Sequence, residues 1–272
     1  MSKVIFITGA SRGFGKLWAE AFLRRGDRVV ATARNLAQLD ELVQLYGDRV
    51  LPLQLDVTIR DAGIAAIQVA QQHFGRIDVL INNAGYGLFG PIEEATEQEV
   101  REQLEVNVLG LVWMIQAILP VMRAQGSGHI INVSSVLGLV GVPTLGLYNA
   151  SKYAVEGISE ALAKEVKAFG INVTLVEPNA YATDWSGASA IHTTAMPQYD
   201  AVKASFRAAL TEDFFGDPAA TPTAVLQLVD ASQPPLHFLL GKKAYAWVKG
   251  VYDQRWADWN AWRAVSEAAH GK

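Results

Sequence analysis

Seven short runs rich in β-branched residues alternate with amphipathic stretches of helical length, at about residues 3–8, 28–33, 50–55, 78–82, 128–134, 171–177 and 236–240. Strands separated by helices pair in parallel, because the helix carries the chain back over the sheet with a right-handed crossover. The pattern predicts an α/β fold: a doubly wound, seven-stranded parallel sheet with helices on both faces. The chain has 272 residues, half of them hydrophobic and 18% charged, which one such sheet and its helices fill. A single domain over 1–272 is expected, with an irregular lid at about 185–215 and a C-terminal helical extension at about 242–272.

The net charge of -4 gives no basic excess of the kind nucleic acids or anionic membranes attract. With no cysteine there is no disulfide, thiolate metal site or cysteine nucleophile, and a cytoplasmic location is expected. No charge falls between Arg123 and Lys152, but Asn132, Ser134, Ser135, Pro143 and several glycines interrupt that stretch, so no membrane span is expected there. The five histidines lack paired ligand spacing, and no metal site is expected. Thr96 and Glu99 form a capping box, and the acids from Glu93 to Glu105 read as a solvated helix face.

The first strand runs straight into Thr8-Gly9-Ala10-Ser11-Arg12-Gly13-Phe14-Gly15, followed by a helix. Glycines there let backbone approach a pyrophosphate, while the helix N-terminus presents free N–H groups and a positive dipole to it. The spacing Gly-x-x-x-Gly-x-Gly differs from the commoner Gly-x-Gly-x-x-Gly. A site selective for NAD carries an acid at the end of the second strand, where this chain has Arg34. Arg34, helped by Arg12, suits a 2′-phosphate, so NADP(H) is the expected cofactor.

Tyr148 and Lys152 lie four apart at the start of a predicted helix and share a face, where the cation is expected to lower the phenol pKa. Ser135 ends a strand 13 residues earlier, Asn107 sits in an upstream helix, and Asn82-Asn83-Ala84-Gly85 closes the fourth strand. With the glycine turn and Asp56 after the third strand, these motifs resemble the short-chain dehydrogenase/reductase superfamily over roughly residues 3 to 184. The resemblance implies a Rossmann-type fold and a catalytic tetrad. In it Tyr148 protonates the carbonyl oxygen, Ser135 orients that oxygen, Lys152 binds the nicotinamide ribose, and Asn107 holds a relay water. It also implies cofactor contacts by Gly9, Ser11, Arg12, Gly13, Phe14, Gly15, Arg34, Asp56, Val57, Asn83, Ala84, Gly85, Tyr148, Lys152, Pro178 and Thr183.

The expected reaction is hydride transfer between NADP(H) and a carbonyl or secondary alcohol, with two hydroxyl donors stabilising charge on oxygen. An epimerase or dehydratase, and a non-catalytic NADP(H)-sensing protein, are the alternatives. Tyr86, Leu137, Leu145 and Trp185, with Leu88, Ile191, Met196 and Tyr199, suggest a hydrophobic small-molecule substrate. His192 in the lid is a possible substrate contact. Asn179 replaces the glycine of the family's usual Pro-Gly pair, and asparagine tolerates a left-handed turn. Trp247, Trp256, Trp259 and Trp262 predict a C-terminal helix whose aromatic stripe packs on its own domain; the alternative is that part of the stripe closes the substrate pocket or a subunit interface. Pro234-Pro235-Leu236-His237 points to the retinol- and hydroxysteroid-dehydrogenase-like branch. The resemblance further implies a homodimer or homotetramer built through the long helices near 97–123 and 146–169.

Overall fold

The computed structural model describes residues 2–183, 185, 187, 190–211 and 214–271. β1 (Val4–Ile7) turns into α1 (Gly13–Arg25), followed by β2 (Arg28–Ala33), α2 (Asp40–Tyr46), β3 (Val50–Gln54), α3 (Arg60–Phe74) and β4 (Val79–Asn82). β5 (Leu88–Phe89) then leads to α4 (Glu97–Leu104), α5 (Gly110–Gln125), β6 (Gly128–Val133), α6 (Gly146–Val166) and β7 (Ile171–Pro178). The remainder is β8 (Ile191–His192), α7 (Asp200–Ala209), α8 (Thr221–Asp230), β9 (His237–Leu240), α9 (Lys242–Ala261) and α10 (Arg263–Ala268).

Seven strands form one parallel sheet in the order β3-β2-β1-β4-β6-β7-β9, and they are the seven expected from the sequence. This is the Rossmann-type α/β arrangement. Strand periodicity explains the two cores: Val4 and Phe6 face the one built with α3, α5 and α6, while Ile5 and Ile7 face the one built with α1 and α8. Each fully buried side chain of this size stabilises by roughly 1.5–3 kcal/mol. The chain order reverses between β1 and β4, which opens a crevice at the carboxyl ends of those strands. A second, two-residue pairing joins β5 to β8; runs that short carry no readable periodicity.

The capping box at Thr96 and Glu99 is present. From it α4 and α5 run as one helix, Glu97–Gln125, through a π turn at Glu105–Leu109. That helix is long and apolar enough to cross a membrane, but Leu111, Met114, Ile115, Ile118 and Met122 lie in the core. The uncharged stretch between Arg123 and Lys152 holds the end of α5, β6, a loop and the first turns of α6.

Candidate active site

The glycine turn is shaped for close backbone approach. Gly9 and Gly13 have φ of 67° and 54°, in the left-handed region that favours glycine. A Cβ on Gly15 would stand 2.2 Å from the Gly9 carbonyl oxygen and 2.6 Å from Asn83 Nδ2. Arg12 occupies the N-cap of α1 in extended conformation with no side-chain cap, so the first N–H groups of the helix face the turn unpaired by a cap. A dinucleotide pyrophosphate fits that donor set. Beside it a cleft is lined by Gly13, Lys16, Leu17, Ala182 and Thr183. Arg12 and Arg34 are exposed, and neither guanidinium forms an ion pair among the described residues. Asp56 Oδ1 accepts from Thr58 N at 3.0 Å and Thr58 Oγ1 at 2.7 Å, and buried Val57 packs on Gly110.

Some of the expected contact residues also build the cradle. Asn83 Nδ2 donates to the carbonyls of Thr8 (3.0 Å) and Gly9 (2.9 Å), and the Asn83 and Ala84 N–H groups donate to Thr8 Oγ1. Phe14 stacks on Trp18 with centroids 5.1 Å apart, and Ser11 is half-buried in the turn. Gly85 lies against Asn107 and Lys152, since a Cβ there would be 3.0 Å from Asn107 Oδ1 and 3.9 Å from Lys152 Nζ.

Asn107, Ser135, Tyr148 and Lys152 come from the π turn, the end of β6 and one face of α6, and all four are buried. The π turn re-aims Asn107 inward, as such bulges do at functional sites. Its Nδ2 donates to Tyr86 O (3.0 Å) and Ser151 Oγ (3.1 Å), and Oδ1 accepts from Tyr86 N. The Asn107 side chain is therefore committed to protein partners. Lys152 Nζ donates to Val133 O at 2.8 Å and lies 5.6 Å from the Tyr148 ring centre.

The expected fall in the Tyr148 pKa is not produced by the chain's own groups. Burial raises it above its ordinary value, and the neighbouring Ser135 hydroxyl only partly offsets this. Burial likewise lowers Lys152 to about 8, against the nearby charge of Glu156, so the ammonium is a weaker cation than the sequence spacing suggested.

Tyr148 sits in an apolar cluster with Val136, Leu137, Val140, Leu145 and Ala244, packed by Phe89, Trp185, Phe206 and Trp247. Trp185 lies on Tyr148 with centroids 4.8 Å apart and on Phe89 at 4.9 Å, and Phe89 meets His192 at 5.2 Å. Leu137, Leu145 and Trp185 thus converge as expected. Tyr86 does not join this cluster: its carbonyl accepts from Gln103 Nε2 of α4 and from Asn107 Nδ2, and burial, with the charges of Glu102 and Glu99, pushes its phenol up to about 12. Of the four C-terminal tryptophans only Trp247 packs here, with Val248 and Val251. Trp256, Trp259 and Trp262 remain 63%, 58% and 69% exposed, contrary to the expected packed stripe.

Asn179 also differs from expectation. It needs no left-handed backbone, since Thr144 is the only non-glycine with positive φ among the described residues. The glycine requirement has moved across the strand pair to Gly241 (φ 112°), where a Cβ would fall 1.6 Å from Asn179 Oδ1. Asn179 Nδ2 donates to Ala180 O and Phe214 O, and the neighbouring Pro178 closes β7. Thr183 lines the cleft, with Trp185 N donating to its Oγ1 at 3.4 Å.

The lid region contains β8 and α7; residues 186, 188, 189, 212 and 213 of it lie outside the described residues. Glu94, read as part of a solvated face, is in fact buried and ties down this segment. It accepts from Thr193 Oγ1 (2.7 Å), Met196 N (2.8 Å) and Lys203 Nζ (2.5 Å), while Tyr199 bonds Glu93. Burial opposes the Glu94 charge, but these donors outweigh it and hold the carboxyl down at about 2. Sequence reasoning also missed Glu156, Glu177 and His237, whose polar atoms lie within 4.8 Å of one another. They come from α6, β7 and β9, so no linear spacing reveals them.

Residues 3–193 match the model of the short chain dehydrogenase family. Over 99% of this chain and all of the relative, it is 40% identical to the oxidoreductase BOA17 of Botryotinia fuckeliana. A 3-ketodihydrosphingosine reductase of Bacteroides thetaiotaomicron is 44% identical over 68% of this chain and 66% of its own. A short-chain dehydrogenase from Streptomyces avermitilis superposes with a TM-score of 0.92 at 38% identity, covering 98% of both chains. A Burkholderia phymatum short-chain dehydrogenase/reductase solved with NAD gives 0.79 at 25% identity over 91% and 92% of the chains. One from Burkholderia cenocepacia solved with NADP gives 0.76 at 28% over 96% and 97%. The chain is an oxidoreductase of the short-chain dehydrogenase family.

Proposed function

We propose that the chain is an NADP(H)-dependent carbonyl reductase, acting in reverse as an alcohol dehydrogenase, on a hydrophobic ketone or aldehyde. The observation that carries this reading is the buried Tyr148 phenol, which lies near the buried Ser135 hydroxyl and is walled by Leu137, Leu145, Phe89 and Trp185. A phenol whose pKa is raised stays protonated through the neutral range, which suits a donor to a developing alkoxide. NADP(H), when bound, supplies or accepts the hydride. Tyr148 then delivers its proton at the carbonyl oxygen, and Ser135 donates a second hydrogen bond that orients that oxygen. Lys152 holds positive charge beneath them, and Asn107 fixes the Tyr86 and Ser151 backbone and side-chain positions around α6.

Free guanidinium groups at Arg12 and Arg34, with no acid at the end of β2, support the phosphorylated cofactor. The relative named as a 3-ketodihydrosphingosine reductase supports a ketone substrate. A homodimer or homotetramer through α4, α5 and α6 fits the exposed Leu104, Leu109 and Tyr153 on those helices. The test is NADPH oxidation over aldehydes, aryl ketones, β-keto esters and steroids. Turnover with a hydrophobic carbonyl is expected; NADPH binding without turnover anywhere in the panel would overturn the reading.

A further inference from the structure

The buried acids beneath the site are not used by the mechanism above. Glu156 is 5% exposed and Glu177 0%, and among the described residues both oxygens of Glu156 and Oε2 of Glu177 lack a partner in good hydrogen-bond geometry, although Ser134 lies close to Glu156. Such groups are costly unless they act on, or share a proton with, a neighbour. Glu156 lies one turn after Lys152 on the same face of α6. Both side chains converge on the end of β6. Lys152 Nζ holds Val133 O, while a Cβ on Gly138 would stand 2.8 Å from Ser134 Oγ and 3.0 Å from Glu156 Oε1. On the far side His237 Nδ1 meets Glu177 Oε1 at 2.8 Å and Glu156 Oε2 at 3.6 Å, and the half-exposed His237 ring opens to solvent near Glu160.

We propose that Glu156 is a positioning residue for Lys152, and that Glu177, held by His237, sets how much negative charge Glu156 carries. The proposal rests on the reading of Lys152 as the cation of a carbonyl reductase. Burial raises the pKa of both acids, and the charge of Glu177 raises that of Glu156 further. Lys152 is lowered by its own burial and pulled back up by Glu156. Among the described residues, the titratable and charged groups around the pair include Tyr148, Lys152, Tyr153 and Glu160 on α6, Glu177 on β7, His237 on β9, and Tyr252 and Arg255 on α9. The consequence is a charge set in series: more ionisation of Glu156 keeps Lys152 protonated to higher pH.

In wild type, kcat/KM for carbonyl reduction with NADPH falls as pH rises past about 8, where Lys152 loses its proton. Glu156→Gln removes the supporting charge and moves this alkaline limb down by about one pH unit. Glu177→Gln lets Glu156 ionise more readily and moves the limb up by roughly half a unit or more. A merely structural role would lower activity in both variants without opposite shifts. The Lys152 side-chain NMR signal, assigned by its loss in Lys152→Met, gives the same titration without turnover. Opposite shifts in the two variants support the proposal. Unmoved limbs, or shifts of the same sign, overturn it. Lack of any carbonyl turnover in wild type would overturn the functional reading instead, and the NMR titration would still decide the role of Glu156.

Discussion

At the scale of single side chains, Arg34 and Thr144 each carry a distinct expectation. Arg34 follows β2 directly, with an exposed side chain where an NAD-selective chain places an acid. A charged hydrogen-bonding pair with a phosphate contributes about 1.5–3 kcal/mol. Arg34→Asp is therefore expected to lower the NADPH/NADH ratio of kcat/KM by roughly 10- to 100-fold. An unchanged ratio in parallel assays would show that Arg34 does not read the 2′-phosphate. Thr144 is a β-branched residue at φ 64°, and its carbonyl accepts from Gly90 N at 2.7 Å in the loop leading to α6. Glycine adopts that backbone without strain, so Thr144→Gly should stabilise by about 1 kcal/mol in denaturant titration. A destabilised variant would mean that contacts of the threonine side chain outweigh its backbone strain.

Elements, more than residues, were legible in the sequence, and the reasons are physical. β-branched runs on a strand of period two, separated by helical faces, give the seven strands directly, and the Thr96 and Glu99 side chains mark the start of α4. The site was legible where its residues share one element, as Tyr148 and Lys152 do on α6. It was hidden where distant elements meet, as at Glu156, Glu177 and His237, and at Glu94, whose partners lie about one hundred residues later. Three donors on one buried carboxylate tie the 193–203 segment to the loop before α4. Glu94→Gln keeps the shape and removes the charge. It should raise KM for the carbonyl several-fold with a smaller change in kcat, and speed proteolysis within residues 190–211. Unaltered KM and cleavage would show that this latch does not govern the lid.

At the scale of the whole molecule, the sheet sets a dinucleotide cradle at the switch between β1 and β4 and a phenol at the start of α6, both beyond the carboxyl ends of the strands. The first half of α9 adds Trp247, Val248 and Val251 to the apolar wall around that phenol, while its second half carries exposed tryptophans away from it. Tryptophan spacing alone did not distinguish these halves, because packing depends on where the helix leaves the domain surface. In the proposed reaction this assembly reduces a carbonyl with a proton from Tyr148. The most direct measurement is kcat for NADPH oxidation with the best carbonyl, comparing wild type with Tyr148→Phe, whose fold and NADPH affinity are checked in parallel. A loss of at least about 100-fold in kcat with NADPH binding retained is predicted; full activity in Tyr148→Phe would contradict the account.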